Sequence, residues 1–271
     1  MVKPRTPDAF AAIIKTAANI SRATTGGEVA HQAQAEASLF LLKNLLSCLS
    51  IRRISAPVRD ARDPVQAPYY DYSSMQVLVR SLAEGYVNMY NLLIAPDSPE
   101  ELDFGMLRWE LHGLVERQRV AGQINSKHPK LVSEAKRIDK LRSRIEAHQM
   151  YKAFGPKHQK AILESKSWTD LSFDKLAART DIHPSWTNAT YKYLSGYAHA
   201  QRLSLLQVGS IRGSEEARQM MRVPLSYAEL YLSLTVLQFI KCCPQCSSLV
   251  DNEGAYLCGY WDLLSRESIN P

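Results

Sequence analysis

The chain has 271 residues, of which 45% are hydrophobic and 22% charged, with 12 Gly and 13 Pro. That length buries a core without disulfide or metal staples, and that composition excludes collagen-like, low-complexity and wholly disordered chains. The formal charge of +6, from 33 Lys and Arg against 27 Asp and Glu, permits contact with phosphate-rich partners without demanding it.

Apolar residues recur at spacings of three and four in long runs, and alternating apolar and polar runs bounded by turn residues are nearly absent. The period predicts an all-α fold, a multi-helix bundle of about eight or nine helices. Helices are expected over 7–23, 29–54, 70–95, 98–124, 129–153, 157–165, 172–180, 184–207 and 215–242. Thr6-Pro7 offers a cap and a first-turn proline, and Gly26-Gly27 separates the first two helices. Ser98-Pro99-Glu100-Glu101 places a cap, a proline and two carboxylates at a helix start, and Ser172 and Ser214 are further candidate caps.

The segment 55–69 carries three prolines and mixed charge, which marks a loop between the second and third helices. Standing alone, the N-terminal pair, 1–54, would expose Leu39, Leu41, Leu42, Leu45, Leu46 and Leu49. It is therefore expected either to dock on a main bundle, 70–245, or to drive homo-oligomerisation. Residues 246–271 read as a C-terminal tail.

Lys15 interrupts the first apolar stretch and Asp8 precedes it, so no secretory signal is expected. The apolar run 225–240 carries Glu229 and Gln238 and falls short of the roughly 20 apolar residues a membrane span needs. A buried helix, no membrane contact and a cytoplasmic location follow as expectations. Five cysteines, with Cys48 far from the other four, argue for reduced thiols over a disulfide framework.

Two polar stripes stand out. In the third helix Gln76, Arg80, Glu84, Asn88 and Asn91 recur at spacings of four, four, four and three, along one face. They form either a solvent-facing strip or the wall of a cleft, where Arg80 and Glu84 would need each other and further partners. In 184–207, Tyr191, Ser195 and His199 stand four apart and Arg202 follows three later. A phenol, a hydroxyl, an imidazole and a guanidinium together could recognise or cleave a phosphodiester. His199 would transfer protons, Arg202 or Arg80 would neutralise charge on phosphate oxygens, and Ser195 would orient a ligand oxygen. The bland alternative is close helix packing at Ser195, Gly196, Ala198 and Ala200, with His199 satisfying a buried carboxylate such as Glu84. A further stripe, Arg108, His112, Glu116 and Arg119, is either the wall of a cleft or an exposed face of mixed charge.

Near the C-terminus, Cys243-Pro244-Gln245-Cys246 followed by Cys258 resembles half of a zinc knuckle. A closed site needs a fourth ligand, which Cys242 is poorly placed to supply, so Cys243, Cys246 and Cys258 are either an incomplete metal site or free thiols at a packed helix end. No cofactor is expected.

The pair Arg80-Ser81-Leu82-Ala83-Glu84 and Tyr191-Lys192-Tyr193-Leu194-Ser195-Gly196-Tyr197-Ala198-His199 resembles a widespread bacterial family known only as a domain of unknown function. That family is similar in helical layout to HEPN-type proteins, and the likeness spans about residues 35–240. It implies that the Arg80/Glu84 helix faces the Ser195/His199 helix. HEPN proteins are commonly metal-independent ribonucleases or components of toxin and phage-defence systems, which would be the function here by analogy. The HEPN nuclease motif sets an Arg some four to six residues before its His, and Lys192 stands in that region before His199. Arg142 to His148 matches literally, but it lies within a run of mixed charge that more often marks a solvated helix. The resulting expectation is a polar cleft of Arg80, Glu84, Tyr191, Ser195, His199 and Arg202 for RNA or another phosphate-containing ligand. The rival is a non-enzymatic interaction module whose buried polar groups fix helix register.

Overall fold

Helix is the only regular structure among the described residues, as the three-four period predicts: thirteen α-helices and one 3-10 helix, with no strand. The structure, a computed structural model, describes residues 8–24, 32–57, 70–125, 128–211 and 214–268. The Thr6-Pro7 and Gly26-Gly27 signals, the Ser214 side chain and residues 58–69 of the proline-rich segment lie outside them. The count exceeds eight or nine because two of the expected long helices break, one at His148 and one at His199, and because the C-terminal segment folds.

The first helices are α1 (Ala9–Thr24), α2 (Gln32–Ile54), α3 (Tyr72–Leu93) and α4 (Pro99–Asn125), followed by α5 (Pro129–Ala147), α6 (Gln149–Lys152) and α7 (Pro156–Glu164). Then come α8 (Phe173–Ala177), α9 (Pro184–Ala198), α10 (Arg202–Ser210), α11 (Ser214–Met220), α12 (Arg222–Cys242) and α13 (Asn252–Arg266). Packing divides the chain into two units: Met1–Ile94 with Phe173–Pro271, and Ala95–Ser172.

In the first unit α12 is the hub, packed by α1, α2, α3 and α13. It is apolar around most of its circumference, and such a helix must be covered on all sides. Residues 215–242 are long and apolar enough to cross a membrane, but 67% of the relevant window is buried inside the protein, as in a core helix. Tyr86, Tyr231, Phe239, Leu41, Met75 and Leu82 fill the surrounding core. Helices α2, α3 and α12 approach closely because Gly85 has no side chain: a Cβ there would collide with the Asn44 side-chain oxygen. Asn44 in turn donates from Nδ2 to Thr235 Oγ1 at 2.9 Å.

The segment 246–271, expected as a tail, carries α13. Asp251 caps that helix, its Oδ1 accepting from the Gly254 N–H at 2.8 Å, and Leu257, Cys258 and Trp261 are buried. The apolar spacing Leu257, Trp261 supplies the face that holds it down.

The second unit comprises α4 to α7 around Phe104, Leu107, Leu111, Ile138, Leu141 and Ile145. Its first helix starts as the sequence predicts. Ser98 Oγ accepts from the Glu101 N–H at 3.1 Å, and the Glu101 carboxylate accepts from the Asp97 N–H at 3.0 Å, a reciprocal cap. The expected helix 129–153 breaks because His148 turns extended and its Nδ1 accepts from the Met150 N–H at 3.2 Å, starting α6.

Candidate functional site

Helices α3 and α9 pack against each other. Tyr72 meets the Tyr197 ring edge-on at 6.4 Å, while Arg80 reaches Tyr191, so the two run antiparallel. This pairing brings the two polar stripes face to face. The α3 stripe is not a solvent-facing strip: Gln76 and Asn91 are buried, and Arg80, Glu84 and Asn88 are partly buried.

Arg80 is the centre of the cluster. Its Nη2 donates to the Tyr191 hydroxyl at 3.1 Å, and that hydroxyl donates to Glu84 Oε1 at 3.1 Å. Its Nη1 lies 3.0 Å from His199 Nε2. Its Nε lies 3.2 Å from Glu84 Oε1, an ion pair one helical turn apart whose N–H is not aimed at that oxygen. The guanidinium carbon also stands 5.1 Å from the centre of the Tyr191 ring, within cation–π range. Because an Arg never accepts, His199 Nε2 must be the acceptor, which places the neutral imidazole's proton on Nδ1. The connection between Glu84 and His199 therefore runs through Arg80.

Burial disfavours charge on Arg80, but the Tyr191 hydrogen bond and the Glu84 carboxylate outweigh it and hold the guanidinium above its ordinary pKa. Burial raises the Tyr191 phenol, Arg80 pulls it down and Glu84 pushes it up, for a net rise. The ring of Tyr191 is fixed from the other side by Phe173, stacked at 3.8 Å.

His199 occupies this place because α9 ends there. It is the C-cap, with φ −106° and ψ 14°, and Ala200 follows in the left-handed region at φ 47°. The Gln201 N–H donates back to Gly196 O at 2.9 Å, closing the turn. The helix expected to run unbroken over 184–207 thus divides in two. His199 is exposed at the rim, and Arg202 is exposed at the first position of α10, outside the Arg80 contacts. Ser195 Oγ donates to Tyr191 O at 2.7 Å, so its hydroxyl is spent on its own helix and does not face Arg80.

Two neighbours escape sequence reasoning. Lys43 on α2 donates to Ser81 O at 2.9 Å and to Ser81 Oγ at 2.8 Å. Burial lowers its pKa while Glu84, close enough to act on it, works in the opposite sense. Phe173 is the other, and nothing in the sequence links it to Tyr191. A lysine interrupting the apolar run around Leu41, Leu42, Leu45 and Leu46 was the one available signal for Lys43.

The remaining candidates separate from this cluster. Arg108 makes a bidentate pair with Asp170 at 2.8 and 3.1 Å, and His158 Nε2 lies 3.0 Å from the same carboxylate. His112 Nδ1 lies 2.9 Å from Ser165 O, while Glu116 and Arg119 form an exposed ion pair. The Arg108 stripe is therefore partly structural and partly a solvated face. Arg142 donates to Leu163 O at 3.3 Å and His148 caps α6, so the literal Arg-to-His match does not form a pair. Cys243, Cys246 and Cys258 are free and buried, and burial pushes the Cys243 and Cys258 thiols up to about 11. Among the described residues no group of three His, Cys, Asp or Glu side chains is placed to hold a metal ion, so these cysteines are not brought together as ligands.

The fold and this cluster define an all-helical protein in which an arginine, a tyrosine, a glutamate and a histidine bridge two antiparallel helices. The chain belongs to a family of unknown function (DUF5677), whose model matches residues 69–216 and so takes in both polar stripes. Comparison with curated proteins and with solved structures finds no match.

Proposed function

We propose that the Arg80, Tyr191 and His199 cluster binds a phosphodiester of RNA and supports its metal-independent cleavage, in a cytoplasmic phage-defence or toxin role of the HEPN kind. The observation that carries this reading is the 3.0 Å approach of Arg80 Nη1 to His199 Nε2, with the histidine exposed at the rim. A phosphate oxygen arriving from solvent competes for the Arg80 N–H that His199 now accepts. Binding then leaves the imidazole free beside the phosphate. His199 takes the proton of the ribose 2′-hydroxyl as the 2′-oxygen bonds to phosphorus. The phosphorus–5′-oxygen bond breaks, the leaving oxygen takes a proton from solvent, and Arg80 compensates charge on the non-bridging oxygens. The products are a 2′,3′-cyclic phosphate and a 5′-hydroxyl.

A second reading has its own support. Arg80 already faces an acceptor at Nε, Nη1 and Nη2, which suits a non-enzymatic module whose polar network fixes the register of α3 on α9. One set of preparations separates the two. In the first reading His199→Ala lowers RNA cleavage by roughly 10²- to 10⁴-fold with a modest change in melting temperature, and EDTA has no effect. In the second, wild-type protein is inert towards RNA. Arg80→Ala then costs about 1–3 kcal/mol of stability, less than a fully buried pair because the Glu84 side chain is 38% exposed.

A further inference from the structure

The leucines of α2 divide into two sets. Leu41 and Leu45 are buried against the bundle, whereas Leu39, Leu42, Leu46 and Leu49 are between 39% and 59% exposed. The exposed four follow the spacing three, four, three, which is the a/d seam of a coiled coil. Val77 and Leu78 of α3 extend the apolar face, and Leu78 helps to wall a shallow groove of about 400 Å³ along the seam. An apolar row of this length on a folded protein marks an interaction surface.

The order of residues along the row specifies the partner. Turning α2 about a two-fold axis at the level of Asn44 places Leu39 opposite a second Leu49 and Leu42 opposite a second Leu46. The same operation sets Glu36 opposite a second Arg52, a half-exposed side chain that also pairs with Asp8 at 3.0 Å. Every pairing then occurs twice, as a two-fold interface requires. A parallel pairing would instead set Glu36 against Glu36 and Arg52 against Arg52, which like-charge repulsion disfavours.

We propose that the exposed Leu39, Leu42, Leu46 and Leu49 seam of α2 binds the same seam of a second copy of this chain, antiparallel, forming a two-fold dimer. The groove beside Leu42 and Leu46 receives the second copy's leucines, and the charged ends fix the direction. This interface is independent of RNA cleavage, because none of the seam residues belongs to the Arg80 cluster.

Light scattering on the full chain tests it. Wild-type protein is expected at twice the chain's 30.5 kDa, and the Leu42→Glu/Leu46→Glu double variant at the single mass with unchanged helical circular dichroism. Both positions are exposed, so the variant keeps its core. Direction is read by oxidative cross-linking: mixing Leu39→Cys protein with Leu49→Cys protein gives a disulfide-linked heterodimer, and Leu39→Cys protein alone does not cross-link. A wild-type chain that stays monomeric at its highest soluble concentration overturns the proposal. So does a dimer that survives the double variant, or Leu39→Cys protein that cross-links to itself.

Discussion

Arg80 and His199 meet at 3.0 Å although 119 residues separate them along the chain. Arg80 is held in mid-helix, where its position is set by the core packing of α3. His199 is held by a helix end, where its position depends on a single turn. The two halves of the contact therefore differ in how they respond to substitution.

Ala200 is the residue on which the turn depends. Its φ of 47° is a conformation in which a Cβ crowds the backbone, at a cost of roughly 1–2 kcal/mol that glycine avoids. Glycine loses more chain entropy on folding, which offsets part of the gain. Ala200→Gly should therefore raise stability by about 0.5–1 kcal/mol in chemical denaturation. A loss of stability would show that the turn after His199 is not left-handed.

Gly85 tests the close approach of α2, α3 and α12. A methyl group there meets the Asn44 side chain, whose amide nitrogen is engaged by Thr235. Gly85→Ala should cost about 1–3 kcal/mol through displacement of a buried, hydrogen-bonded side chain. Because the penalty acts through Asn44, the double variant Gly85→Ala/Asn44→Ala should be more stable than the sum of the two single changes implies. Strict additivity would place the strain elsewhere.

In the second unit, burial alone would raise the Asp170 carboxyl, but Arg108 and then His158 outweigh burial and hold it below its ordinary value of 3.8. A carboxylate whose folded pKa is depressed stabilises the fold above the unfolded pKa and loses that contribution as pH falls through the folded value. The stability difference between wild type and Asp170→Asn should thus be constant at neutral pH and shrink below about pH 4. Thermal melts across the acid range measure it. A difference that persists unchanged to the lowest pH would mean that the charge of Asp170 contributes nothing.

The all-helical fold, the burial of α12 and the Ser98 start of α4 were legible in the chain, because period, apolar continuity and capping chemistry are local properties. The two polar stripes were legible for the same reason: spacings of three and four put Arg80 with Glu84, and Tyr191 with Ser195, on single faces whatever surrounds them. What local spacing left open was which stripe residues take part. Ser195 turns back onto its own helix and Arg202 starts the next one, while Lys43 and Phe173, from other helices, lie beside Glu84 and Tyr191. Likewise, all six leucines of α2 looked alike in sequence, and only packing against α3 and α12 separated the buried pair from the exposed four. Period and caps depend on neighbours within one or two turns, so the chain alone determined them. The partners of a side chain depend on where helices far apart in sequence pack and on where each ends, and here the left-handed turn at Ala200 decided that His199 would reach Arg80.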